Sequence, residues 1–247
     1  MLNKQTSILI ILLSFLLGAC MDTEDIKPIV ITPTGTINLN LTHKVDGQLL
    51  LFDTLKYTNL ANNNFSVTRV NYYLSNFKLT TNGVVKYISN QIVYIDARTQ
   101  PIQIKLDNVP LGTYESLSFN IGIDAANNQH GMIPNTDENI GMIWPEAMGG
   151  GYHFLKLEGQ FLTPSNDRKG YAVHTGLNAY LINHNPITTS TTVNENQTST
   201  IGLTMNINEW YKNPYTYNLF TDGNYTMGDS TTMMKITNNG KDVFYVE

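Results

Sequence analysis

Thr36-Ile-Asn-Leu-Asn-Leu-Thr-His-Lys-Val45 alternates without a break. Ile37, Leu39, Leu41, His43 and Val45 share one face and Asn38, Asn40, Thr42 and Lys44 the other, which is the period of two that a half-buried β-strand requires. The pattern also puts His43 on the core side of its strand.

Working outward, the same signal recurs. Phe65 to Thr80 reads as strand with a kink near Ser75-Asn76, and Asn82-Gly83 turns the chain into a strand from Val84 to Ile88. Ile92 to Ile95, Ile102 to Leu106 and Leu117 to Ile123 follow, the last two separated by a turn at Pro110-Leu-Gly112. Tyr152 to Phe161, Tyr171 to Ile182 and Thr200 to Ile207 complete the series. A C-terminal hairpin is expected to pair Met233 to Thr237 with Val243 to Val246 across Asn238-Asn-Gly240. No sustained helical period is visible; only Asn208 to Lys212 could form a turn of helix. Asp124 to Glu146 reads as a long loop, and Ile187 to Ser199, rich in Thr, Ser and Asn, as an exposed one. Some nine to eleven strands at this spacing, with no repeat, predict an all-β fold. It is a single antiparallel β-sandwich, immunoglobulin-like, with long inserted loops, spanning 34–247.

The N-terminus has a different character. Lys4 precedes an apolar run from Ser7 to Leu17, too short for a membrane span, and Leu17-Gly-Ala-Cys20 ends it. Residues 1–19 are therefore expected to be an export signal. The small-small-Cys ending resembles the bacterial lipobox, in which Cys20 is lipidated and becomes the first residue. Cys20 is the only cysteine in the chain, so an intramolecular disulfide is excluded and lipidation leaves no thiolate. Residues 20–33 carry Asp22, Glu24 and Asp25, lack periodicity and end in Pro28 and Pro33. They read as a solvated acidic tether, an acidic start that also resembles the surface-export signal of Bacteroidetes lipoproteins. The expected location is the cell envelope, lipid-anchored to the outer membrane, on its periplasmic or outer face.

A formal net charge of −5, with basic residues scattered singly, offers no stripe to displace phosphate counterions, so nucleic acid is excluded as a partner. The catalytic templates fail as well. There is no Gly-x-Ser-x-Gly elbow, no phosphate-cradling glycine loop and no His-Glu-x-x-His pair, so no enzyme activity is expected; a hydrolase with carboxylates drawn from distant strands is the least supported alternative.

The chemistry that remains lies around Gly141-Met-Ile-Trp-Pro-Glu-Ala-Met-Gly-Gly-Gly-Tyr-His-Phe-Leu-Lys-Leu-Glu-Gly159. Here one of two tryptophans sits in a methionine-flanked loop that closes on three glycines. Glycine allows close backbone approach and positive φ. Of five histidines, His43 lies on an apolar face and His174 sits where a strand meets Gly176. His153 alternates with Leu155 and Leu157 directly after the glycines, and His130 and His184 occupy polar loop sequence. Imidazoles gathered beside thioether and aromatic groups suit copper. Inward histidines also serve as ordinary hydrogen-bonded core residues, and Met142 and Met148 as gap-fillers.

Four pieces of the chain resemble the MbnP-like copper-binding domain, a family related to the methanobactin-associated periplasmic protein and common in Bacteroidetes lipoproteins. They are Leu41-Thr-His43-Lys-Val-Asp-Gly47 with Tyr57, Phe65-Ser-Val-x-x-Val-x-Tyr-Tyr-Leu-Ser-Asn76, Gly112-x-Tyr114 leading to Ile121-Gly-Ile-Asp124, and Gly141-Met-x-Trp144 through Gly159 with His174-x-Gly176. The resemblance implies a β-sandwich that binds copper for uptake, storage or delivery. It also implies a partner dihaem peroxidase-like enzyme that oxidises the tryptophan at the Met-x-Trp position to kynurenine, giving a nitrogen donor that indole lacks. On this basis Trp144 is the modifiable position, and His174 and then His43 are the expected ligands. Glu146, following Pro145, departs from relatives that carry a histidine or a second aromatic there. Asp124, Glu146 and Glu158 are candidates to support the ligands, since a ligating imidazole gives its other N–H to a carboxylate or carbonyl; the alternative for Glu158 is a surface ion pair with Lys156. A different reading is a surface binding module for glycan or a partner protein, with Tyr211, Tyr215 and Tyr217 around Trp210 as a stacking platform.

Overall fold

A computed structural model describes residues 32–247; the signal segment, Cys20 and nearly all of the tether lie outside the described residues. The strand read first forms as expected. β1 (Thr34–Val45) buries every second residue from Gly35 on, with Ile37, Leu39, Leu41, His43 and Val45 inward. It is followed by β2 (Gln48–Leu49), β3 (Tyr57–Thr58), β4 (Asn64–Thr81), β5 (Val84–Asp96), β6 (Ile102–Pro110) and β7 (Gly112–Ile121). After a loop containing α1 (Asp137–Gly141) come β8 (His153–Leu162), β9 (Arg168–Gly176), β10 (Ile182–Asn183), β11 (Ile187–Val193), β12 (Thr198–Asn206), α2 (Ser230–Asn239) and β13 (Phe244–Val246).

These strands make two sheets. In the 5-stranded sheet β1 is central, flanked by β12 and β13 on one side and paired also with β2 and β6. The 8-stranded sheet runs β10-β7-β4-β8-β9, with β3, β5 and β11 attached. The fold is the expected all-β sandwich, and its ladders are antiparallel except that β1 pairs with β12 in parallel. The kink foreseen in β4 is a register shift between Ser75 and Phe77, where Asn76 takes φ 55°. Asn82-Gly83, with φ 51° and 71°, supplies the left-handed pair of a tight hairpin.

The core between the sheets takes Ile37, Leu39 and Leu41 from one side and Tyr72, Leu155 and Leu157 from the other. Each fully buried aliphatic residue there contributes about 1.5–3 kcal/mol relative to exposure. A second layer lies beyond it. Tyr73, Phe154 and Ile123 pack with Ile133 and Met142 from the Asp124–Glu146 region in a separate cluster. The long loop thus covers the outer face of the larger sheet.

Three expectations fail. Met233 to Thr237 belongs to α2 and not to a hairpin: Met233, Ile236 and Thr237 are buried at helical spacing, and the Asp229 side chain accepts from the N–H groups of Thr231 and Thr232. Gly240 ends that helix against the Trp210 ring, where an added Cβ would come within 2.6 Å of Cζ3. Ile187 to Val193 is β11, paired with β7, because its threonines are β-branched and suit a pleated surface despite their polarity. Trp210, Tyr211 and Tyr217 are fully buried and form core, so of the expected aromatic platform only Tyr215 is exposed. The turn of helix at Ile207–Tyr211 is present, as 3-10 helix.

Candidate metal centre

Trp144 is held by a short hairpin of its own. Its N–H donates to Gly151 O at 2.9 Å, His153 N–H donates to Met142 O at 2.7 Å, and Ile143 bridges Tyr152. The loop between these contacts contains a 3-10 turn at Glu146–Met148 and the three glycines at φ 111°, 68° and 84°. Side chains rarely adopt a run of this hand, so the glycines are what allow the loop to fold back. It folds over the indole rather than presenting it: Trp144 is 0% exposed. Its Nε1–H donates to Met148 O at 3.1 Å, and Tyr180, Met233, Met148, Leu177 and Met227 pack around it. Gly176 makes this possible, because a Cβ there would sit 2.4 Å from the indole Cε3.

The decisive local feature is a β-bulge in β8. Leu155 pairs with Thr175 and Lys156 with His174, but the register shifts before His153 pairs with Gly176. Without the bulge His153 would share the face of Leu155 and Leu157 and enter the core. With the extra residue it turns to the other face. There it meets Trp144 at a ring-centroid distance of 4.7 Å and His174 edge-on at 5.0 Å and 89°.

Both imidazoles are oriented by oxygen. His153 Nδ1 lies 3.1 Å from Met142 O; since a carbonyl only accepts, Nδ1 carries the proton and Nε2 keeps its lone pair. Burial first, and then the positive charge of Lys156 and the neighbouring His174, push the His153 pKa down to about 3, so the ring is neutral near pH 7. His174 Nε2 lies 2.9 Å from Glu158 Oε1 and donates to it, which leaves Nδ1 free when the ring is neutral. Glu158 is held in turn by Arg69 at 3.1 Å. The His174 contact keeps its carboxyl below the usual range despite burial, with Arg69 assisting. The Thr226 hydroxyl fixes the peptide of His174, accepting from its N–H at 2.7 Å and donating to its C=O at 2.5 Å.

Of the residues singled out in the sequence, the structure brings together Trp144, His174 and Glu158. It does not bring His43 to them. His43 lies in the core on β1, with Nε2 2.8 Å from Tyr72 Oη. Tyr72 faces the core in register with Leu155, whereas His174 projects from the opposite face of the same sheet. Asp124 accepts from Ala126 and Asn127 within its own turn. Glu146 has its side chain 71% exposed, 3.5 Å from the exposed His130. Neither hydrogen-bonds or pairs with His153 or His174. His184 is a core residue whose Nε2 accepts from Phe244 N–H. Sequence reasoning missed His153 as a member of the cluster. Its one signal was position, directly after the glycines.

The residues present fit a soft or borderline ion through two imidazole nitrogens, each backed by the oxygen contact that a ligating histidine needs. Among the described residues no group of three or more His, Cys, Asp or Glu is arranged to hold a metal. The two histidines supply at most two of the donors such an ion would need.

Fold and site together define a β-sandwich whose outer sheet face carries a tryptophan-capped histidine pair beneath a glycine-hinged loop. The sequence model of the MbnP family matches residues 34–233, and the chain belongs to that family. In structure it is similar to MbnP from Methylosinus trichosporium, with a TM-score of 0.50 and 13% identity, covering 85% of this chain and 97% of that chain. At that identity the likeness speaks to the fold. No curated protein matches the chain.

Proposed function

We propose that this protein is a non-enzymatic copper-binding protein of the cell envelope, lipid-anchored through Cys20 and serving copper uptake, storage or delivery. The observation that carries the reading is the pair His153 and His174, one nitrogen of each tied to oxygen and the other left free, beside Trp144. When bound, copper would supply soft Lewis acidity. The chain's own part is to hold His153 neutral, to orient both imidazoles, and to exclude water with the Trp144 loop.

Two histidines leave the ion short of donors. Oxidation of Trp144 to kynurenine by a dihaem peroxidase-like partner, as the family resemblance implies, would add an aromatic amine next to His153. His153 replaces His43 as the second ligand in this reading. The binding-module alternative is the weaker reading, since Trp144 packs on His153 and, of the Trp210 aromatics, only Tyr215 is exposed.

The test is to purify the protein from its native host, measure its metal content and take the mass of the peptide carrying Trp144. Stoichiometric copper with a kynurenine-sized change is expected, and copper should be lost in both His153→Ala and His174→Ala with the fold intact. Copper retained in both variants would overturn the assignment.

A further inference from the structure

Lys156 is not used by the copper-site reading, yet it lies on β8 between His153 and Glu158. It stands directly opposite His174 in the β8–β9 register, and its Nζ donates to Gly141 O at 2.5 Å, one residue from the Met142 carbonyl that orients His153. Among the described residues it forms no ion pair. Glu158, two residues along the same strand, is engaged by Arg69 and His174. Arg69 and Glu158 balance each other, so the site carries one uncompensated positive charge in a half-buried setting. Burial and Arg69 push the Lys156 pKa down, and its charge is felt by His153.

A half-buried ammonium opposite His174 in register, bonded one residue from the carbonyl that orients His153, is costly for any cation entering between the two rings. Coulomb repulsion grows linearly with the charge of the ion. We infer that Lys156 is a specificity-determining residue, a charge filter that disfavours divalent ions such as Zn²⁺ at the His153–His174 site more strongly than a monovalent ion. The inference rests on the proposed copper site and adds a selection rule to it. It also explains why the ammonium is tied to the Gly141 carbonyl: the bond keeps the charge in place and joins the Trp144 loop to β8.

A purely structural tether predicts the opposite sign, which makes the test sharp. The mature protein and its Lys156→Met and Lys156→Arg variants would be titrated with Cu⁺ against a colorimetric chelator and with Zn²⁺ by calorimetry, with melting curves as the fold check. Lys156→Met should tighten Zn²⁺ about tenfold and Cu⁺ only about threefold, since the logarithmic gain for a divalent ion is about twice that for a monovalent one. Lys156→Arg, which keeps the charge, should leave both unchanged. Weaker or equal binding in Lys156→Met, or the same gain for both ions, overturns the filter; should that variant not fold, Lys156→Gln carries the same expectation. If neither the parent protein nor the variant binds either ion, the copper-site reading fails and the filter falls with it.

Discussion

Gly176→Ala should separate the tryptophan from its histidine. A Cβ at this position would stand 2.4, 2.8 and 2.9 Å from the indole Cε3, Cζ3 and Cδ2, all closer than real Cβ contacts come. The ring cannot retreat freely, because its Nε1–H is bonded to Met148 O and Tyr180 and Met233 pack around it. Overpacking of this kind costs roughly 1–3 kcal/mol. The tight contacts and the pinned ring place this case near the middle, about 2 kcal/mol, or roughly 4–8 °C in Tm for a domain of this size. Gly170→Ala, on the same strand, is the control. Its Cβ would meet Tyr225 Oη at 3.5 Å, an ordinary contact, and its Tm should stay within about 2 °C of the parent. Thermal unfolding by circular dichroism, with indole fluorescence and copper titration alongside, reads the result. Equal melting of the two variants, or unchanged copper affinity in Gly176→Ala, would refute the claim that the missing side chain seats the indole on His153.

Stability should fall as the solution is acidified through the range below neutrality. Burial pushes His43 down to about 4 from its ordinary 6.5, so the unfolded chain binds the proton first; the contribution is complete above about pH 6.5 and lost progressively as pH falls toward 4. It amounts to about 3 kcal/mol, and urea unfolding of His43→Gln should show a correspondingly flatter pH profile; an identical profile would remove His43 from the account. Glu158→Gln should weaken copper binding roughly 10–100-fold by releasing His174, as loss of a partner behind a ligand commonly does; unaltered affinity in a competition titration counts against its orienting role. Asp229→Ala removes the cap of α2, which holds Met233 on the indole, and should cost about 1 kcal/mol in chemical denaturation.

Much of the fold was legible in single strands. The alternation of Thr36 to Val45, the Asn82-Gly83 hairpin and the kink at Asn76 are local rules of side-chain direction and backbone hand. The composition of Ile187 to Val193 misled because threonine is polar in character but strand-forming in shape. In α2 a short apolar series beside Asn-Asn-Gly fits a hairpin or a helix equally well, and what decided it was the burial of Met233 and Ile236 on one helical side and the Asp229 cap.

The site shows the same division more sharply. From the sequence alone came an all-β chain, a glycine-hinged tryptophan loop and His174 on the strand leading to Gly176. Only the tertiary structure decided which histidine joins them. His43 and His153 both sit at inward positions of alternating strands, and the alternation alone does not separate them. The bulge that reverses His153 is defined by the pairing of β8 with β9, a relation between segments and not a property of one. Register is settled when the two sheets bury their inner faces together, and that collective choice leaves His43 against Tyr72 in the core and places His153 against Trp144 outside it.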